Sequence, residues 1–81
     1  MRKGSLRELL AKLKHDPREN EADYLIVIAH RGGENDQKVI PVELIELGNG
    51  YFFVGETQIP YHQILRVVRR DGTVIWEKRK R

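Results

Sequence analysis

The chain contains no cysteine, one tryptophan and one methionine. The missing thiol excludes a disulfide framework, a zinc knuckle and a cysteine nucleophile together. Long apolar runs are also missing, and none approaches the ~20 residues of a membrane span. The opening Met1-Arg2-Lys3-Gly4-Ser5 has no apolar signal core behind it, so a cytoplasmic protein is expected. There is no glycine-rich phosphate loop, nucleophile elbow or Glu-x-x-His pair. The three histidines, His15, His30 and His62, are not spaced to share a metal ion. Neither a cofactor nor a metal site is expected.

The sequence has 81 residues, read as one domain spanning 1–81. A domain of this size buries only about 60–65% of its extended-chain surface. That leaves no room for a deep enclosed site, so any site should be a surface groove. Charged residues make up 33% of the chain, above the typical ~25%. Such a charge content is compatible with a thermophile. The net charge of +3 conceals an asymmetry. Residues 1–14 carry +4, residues 15–65 carry −6 and residues 66–81 carry +5. If the fold joins the termini, they form a basic patch beside an acidic body. Such a patch is the electrostatic footprint of a nucleic-acid partner. A solvated tail serving solubility is the alternative for Lys78-Arg79-Lys80-Arg81.

Ser5-Leu6-Arg7-Glu8 fits a capping box, with Glu8 reaching back to the Ser5 backbone. Leu6, Leu9, Leu10 and Leu13 then recur on one helical face. The outer face carries Arg7, Lys12 and Lys14. Pro17 disfavours the α conformation at Asp16, so the helix should end near Lys14 or His15. Tyr24 to His30 reads as a central strand, apolar on both faces. It runs into Arg31-Gly32-Gly33, whose glycines allow positive φ and leave backbone N–H groups open to an anion. Lys38 to Leu47 reads as an edge or bulged strand interrupted at Pro41. That exposed edge allows a dimer as well as a monomer. Tyr51 to Val54 is the next strand. No internal repeat is expected.

Residues 58–76 combine a hairpin with a polar cluster. Asp71-Gly72 between β-branched runs predicts a two-residue type I′ turn, which needs φ > 0 at both central positions. That register sets Val68 opposite Ile75, Val67 opposite Trp76 and Arg66 opposite Glu77. It puts Leu65, Val67, Val74 and Trp76 on one face and Ile64, Val68 and Ile75 on the other. Upstream, Pro60 leaves Tyr61 and His62 on an irregular connection, where binding groups tend to reside. Tyr61 could stack a base; Trp76 should pack in the core. The fold expected is α+β: the helix packed on a strongly bent, mostly antiparallel sheet of about five strands, with a partly open barrel as its alternative form.

Four blocks now stand in one order: Leu13 to Arg18, Asp23 to Gly32, Ile59 to Ile64 and Asp71 to Trp76. Together they resemble a family of small archaeal proteins whose domain also appears fused in larger eukaryotic proteins, the RNA cyclic group end recognition domain. The resemblance implies a non-catalytic module that recognises RNA 3′ ends bearing a 2′,3′-cyclic phosphate, in RNA repair or tRNA splicing and ligation. RNA ligases or processing enzymes would be its protein partners. The family's arginine after the strand matches Arg31, its Ile-Pro-x-His matches Ile59, Pro60 and His62, and its Asp-Pro matches Asp16 and Pro17. Gln63 stands where the family often has arginine. Arg66 or Arg69 would compensate.

The candidate RNA-binding residues are therefore Arg31, Gly32, Gly33, Tyr61, His62, Asp16, His30, Arg66 and Arg69. Arg31 would grip phosphate through its planar fork, and His62 would hydrogen-bond the cyclic phosphate or ribose. Two alternatives remain. A metal-independent RNA phosphodiesterase or nuclease would use His30 and His62 as acid and base. A protein-interaction adaptor would turn the basic surface to an acidic partner.

Overall fold

Leu6, Leu9, Leu10 and Leu13 build the first element, helix α1 (Leu6–His15). Leu10 and Leu13 are buried, and Leu6 and Leu9 pack partly buried against the same core. Each fully buried leucine contributes about 1.5–3 kcal/mol. The computed structural model describes residues 6–32 and 34–78. The Ser5 cap, Gly33 and residues 79–81 lie outside the described residues. Helix α1 stops as Pro17 requires, with the Asp16 N–H closing the last turn on the Lys12 carbonyl at 2.9 Å.

Asn20 then caps a 3-10 turn at Glu21–Asp23, its side chain accepting the Ala22 N–H. The chain enters β1 (Tyr24–Ala29) and continues through β2 (Gln37–Pro41), β3 (Ile45–Leu47), β4 (Tyr51–Val54), β5 (Thr57–Pro60), β6 (Ile64–Arg69) and β7 (Val74–Glu77). The fold is α+β, but the strands form two antiparallel sheets rather than one bent sheet of about five. The first is ordered β2-β1-β6-β7 and the second β3-β4-β5. The described residues form no closed barrel.

Proline divides the sheets. Pro41, with φ −63°, ends β2 and starts a 3-10 turn at Val42–Leu44, after which β3 lies in the second sheet. Pro60, with φ −65°, ends β5 and starts a 3-10 turn at Tyr61–Gln63, after which β6 returns to the first. Each turn closes the same way, the Ile45 N–H on the Val42 carbonyl and the Ile64 N–H on the Tyr61 carbonyl. Ile40-Pro41-Val42-Glu43-Leu44-Ile45 and Ile59-Pro60-Tyr61-His62-Gln63-Ile64 are thus one corner used twice. This corrects the expectation of no repeat. A missing N–H and a fixed φ make proline suited to ending a ladder and opening a tight turn.

Tyr24, Ile26 and Ile28 of β1 join Leu10, Leu13, Ile40, Val42, Ile45, Phe52, Ile59, Ile64 and Val67 in one core. The second face of β1 is less covered than expected. Val27 is buried, flanked across the ladder by Val39 and Arg66, but Leu25 is half-buried and Ala29 exposed. His30 lies beyond the end of β1.

Two bulges overturn the predicted hairpin faces. Val27 pairs with Arg66 and Ile28 with Ile64, so Leu65 is an extra residue on β6. The extra residue lets Ile64 and Val67, an odd number apart, both face the core. The turn is also longer than two residues. The Gly72 N–H bonds the Arg69 carbonyl at 2.8 Å, and the Arg69 N–H bonds the Thr73 carbonyl at 2.7 Å. Only Gly72 has positive φ there (+102°); Asp71 does not. The loop is Arg70-Asp71-Gly72, a three-residue turn with glycine in the left-handed position. Val68 consequently pairs with Val74 rather than Ile75, while Val67–Trp76 and Arg66–Glu77 pair as expected.

The helix's outer charges are partly engaged. Lys14 Nζ lies 3.0 Å from Glu21 Oε1 and donates to the Val42 carbonyl at 3.3 Å. Arg7 Nε donates to the Gly48 carbonyl at 3.1 Å. These two cations tie α1 to the body of the protein and are not free members of a basic patch.

Candidate nucleic-acid interface

The register of β1 and β6 decides what meets what. Ile28 pairs with Ile64, so the chain leaves β1 beside the turn that leads into β6. His30 and Arg31 follow β1 directly, and Tyr61–Gln63 is that turn. The loop after Arg31 folds back through left-handed residues: Gly32 (φ +91°), Asn35 (φ 57°) and Asp36 (φ 58°). Asn and Asp are the non-glycine residues that best tolerate this region. The return brings the Asp36 carbonyl to the His30 N–H at 2.8 Å. Ala29, His30, Arg31, Asp36 and Gln63 line one open pocket of about 490 Å³. Arg31 and His30 are both exposed there.

A larger cleft of about 570 Å³ adjoins it and shares Ala29, His30 and Gln63. It runs between β2 and β5, each at the edge of its sheet. Its walls are mostly aliphatic, and Lys38, Thr57 and Gln58 add polar groups.

The other predicted site residues fall elsewhere. His62 is exposed and lines neither cavity; its carbonyl accepts from Lys78 Nζ at 2.7 Å. Tyr61 is held on the second sheet. Its ring centroid lies 5.7 Å from that of Phe52, and its hydroxyl donates to the Gly48 carbonyl at 2.9 Å. Arg69 pairs with Tyr24 at the opposite end of β1, about 17 Å from Ala29 at ~3.3 Å per residue. Its guanidinium stands over the Tyr24 ring at 5.2 Å from the centroid. The Tyr24 hydroxyl donates to Glu19 Oε1 at 2.6 Å, which pushes its pKa up. Arg66 Nε is 3.9 Å from Glu77 Oε2.

Asp16 accepts the Arg18 N–H at 2.9 Å and Arg18 Nε at 3.3 Å. Those bonds, the backbone one first, hold its carboxyl below the usual range. They account for Asp16 as the staple of the helix end. Gly33 lies outside the described residues. Among the described residues no three His, Asp or Glu side chains are grouped to hold a metal, and no helix is long and apolar enough to cross a membrane.

Of the predicted residues, then, His30 and Arg31 share a pocket and are joined by Gln63. Asp36, Lys38 and Gln58 were missed. The doubled Ile-Pro corner was the available signal for Lys38 and Gln58, because it sets β2 and β5 as the two strands that flank the cleft.

Residues 1–78 match the family described as the MJ1316 RNA cyclic group end recognition domain. The chain belongs to this family. A UPF0248 protein of Thermococcus gammatolerans is 70% identical over 81 residues, covering 100% of this chain and 98% of the relative. Another, of Pyrococcus furiosus, is 70% identical over 81 residues, covering 100% and 96%. A UPF0248 protein of Methanococcus maripaludis is 41% identical over 75 residues, covering 91% and 99%. No solved structure matches the chain.

Proposed function

We propose that this protein is a non-catalytic RNA-binding module that captures 3′ ends carrying a 2′,3′-cyclic phosphate. The observation that carries the reading is the pocket in which His30, Arg31 and Gln63 converge, in a chain of this family. Arg31 grips the phosphate through its fork. The open backbone at Gly32 and the imidazole of His30 supply further donors at that end of the sheet. The setting is RNA repair or tRNA splicing and ligation, with a ligase or processing enzyme as partner.

The charges favour a monoanion. Arg31 brings one positive charge and Asp36 one negative charge to the same pocket. A cyclic phosphate carries a single negative charge, whereas a terminal phosphomonoester carries about −1.5 to −2 at pH 7. The Asp36 carboxylate therefore penalises the linear 3′-phosphate more than the cyclic one.

One labelled oligonucleotide in three end states tests this: cyclic phosphate, 3′-phosphate and 3′-hydroxyl. At ~150 mM salt, where distant charges are screened, the wild type should prefer the cyclic end. Arg31→Ala should weaken that end by about 10- to 150-fold, with no change in melting temperature. Equal wild-type affinity for all three ends sinks the reading. RNA should be recovered unaltered after incubation in EDTA. Turnover that vanishes in His30→Ala would make the protein an enzyme instead.

A further inference from the structure

We infer that the cleft between β2 and β5 is a nucleobase subsite, which takes the terminal base of the RNA whose phosphate lies against Arg31. The inference rests on the phosphate-end reading above and extends it from the phosphate to the base. Three observations carry it. The first is continuity: the cleft and the Arg31 pocket share Ala29, His30 and Gln63. In a terminal nucleotide one ribose joins phosphate to base, so a base site must open directly off the phosphate site.

The second is chemistry. A nucleobase has two apolar faces and a polar edge. The cleft offers aliphatic walls from Val39, Ile40, Val54 and Ile59, with the Gln58 and Gln63 amides among them. Such pockets, mostly apolar with a few placed polar groups, are the usual form of small-ligand sites. An amide both donates and accepts, so it can pair with the hydrogen-bonding edge of a base.

The third is the engagement of the aromatic rings that would otherwise stack a base. Tyr61 packs toward Phe52 and bonds Gly48. Tyr51 and Phe53 make an edge-to-face pair 5.4 Å apart. None of these four rings lines the cleft. The base is held between aliphatic walls, and its identity is read by the glutamines. Gln63, common to both cavities, is positioned to sense the terminal nucleotide as a whole.

The test keeps the end a cyclic phosphate and varies the terminal base: adenine, cytosine, guanine, uracil or none. Removal of the base should cost the wild type about tenfold or more in affinity, because apolar surface of the base would return to water and every ~1.4 kcal/mol lost is a factor of ten. Val39 is exposed, so Val39→Glu should fold normally and place a charge on the wall. That variant should bind the base-bearing and abasic ends alike. Gln58→Ala and Gln63→Ala should flatten the ranking of the four bases. Equal wild-type binding of abasic and base-bearing ends overturns the inference. The two readings fail separately. Equal affinity for the three phosphate states at a fixed base removes the phosphate site, whereas loss of base dependence at a fixed cyclic phosphate removes only the cleft.

Discussion

The Tyr61 hydroxyl and the Gly48 backbone bond each other in both directions. The hydroxyl donates to the Gly48 carbonyl at 2.9 Å, and the Gly48 N–H donates to the hydroxyl oxygen at 3.2 Å. Arg7 of the helix reaches the same carbonyl. Gly48 thus joins helix α1, the second sheet and the Pro60 corner. Tyr61→Phe keeps the ring near Phe52 and strips both bonds. It should destabilise the fold by about 1–2 kcal/mol, several degrees in melting temperature for a domain of this size. RNA affinity of the folded variant should stay at the wild-type level. Weaker RNA binding with an unchanged melting curve would give the hydroxyl a ligand-binding role instead.

The hairpin turn makes a sharper claim at Gly72 than at Asp71. Gly72 alone has positive φ there, and a side chain built on it would meet no atom within 4 Å. The penalty at this position is therefore backbone strain without a clash. Gly72→Val should cost about 1–2 kcal/mol or more. Gly72→Asn should cost less, since Asn tolerates the left-handed region. Calorimetry of the two variants measures the gap. Equal loss in both would mean that the turn is held by something other than this dihedral.

Acid should lower the stability of the protein in part through two named carboxylates. Asp16 accepts the Arg18 N–H, and Asp71 accepts the Thr73 N–H, each of which lowers a carboxyl pKa. A depressed folded-state pKa contributes stability above the unfolded value of about 3.9. That contribution is lost as pH falls through the folded values. Melting temperature against pH should hold steady above about pH 5 and drop below about pH 4. Asp16→Asn and Asp71→Asn should start lower and show a flatter acid limb. An acid limb of wild-type steepness in the double variant would place the protonation elsewhere.

Much of the first sheet was legible because its signals are local. The leucine spacing gave α1, the apolar run gave β1 as a central strand, and Pro41 gave an edge. The Arg66–Glu77 and Val67–Trp76 pairs followed from the hairpin. The inward turn of both Ile64 and Val67 did not, because a bulge leaves no mark on composition; it is forced by pairing with β1. The second sheet was hidden for a related reason. Its strands are three or four residues long, too short for periodicity to separate one sheet from two. At the site, His30 and Arg31 were visible as polar residues after a strand. Their union with Gln63 depends on the Ile28–Ile64 pairing, a contact between distant parts of the chain. Lys14 and Arg7 read as free charges only because their acceptors lie elsewhere in the sequence.

The two proline corners also shape how the chain folds in time. Ile26 pairs with Val67 across 41 positions, while β3, β4 and β5 pair in simple succession between them. The three-stranded meander needs only short loops and closes early. The first sheet must wait until β6 returns, after the entropy of a long loop has been spent. The meander is thus an excursion that must finish before the sheet can. Weakening the meander at Phe52 should therefore slow folding, and weakening the β1–β6 seam at Ile26 or Val67 should chiefly speed unfolding. The cleft between β2 and β5 then takes shape only as the last strands dock, so a nearly folded chain without β6 in place lacks it.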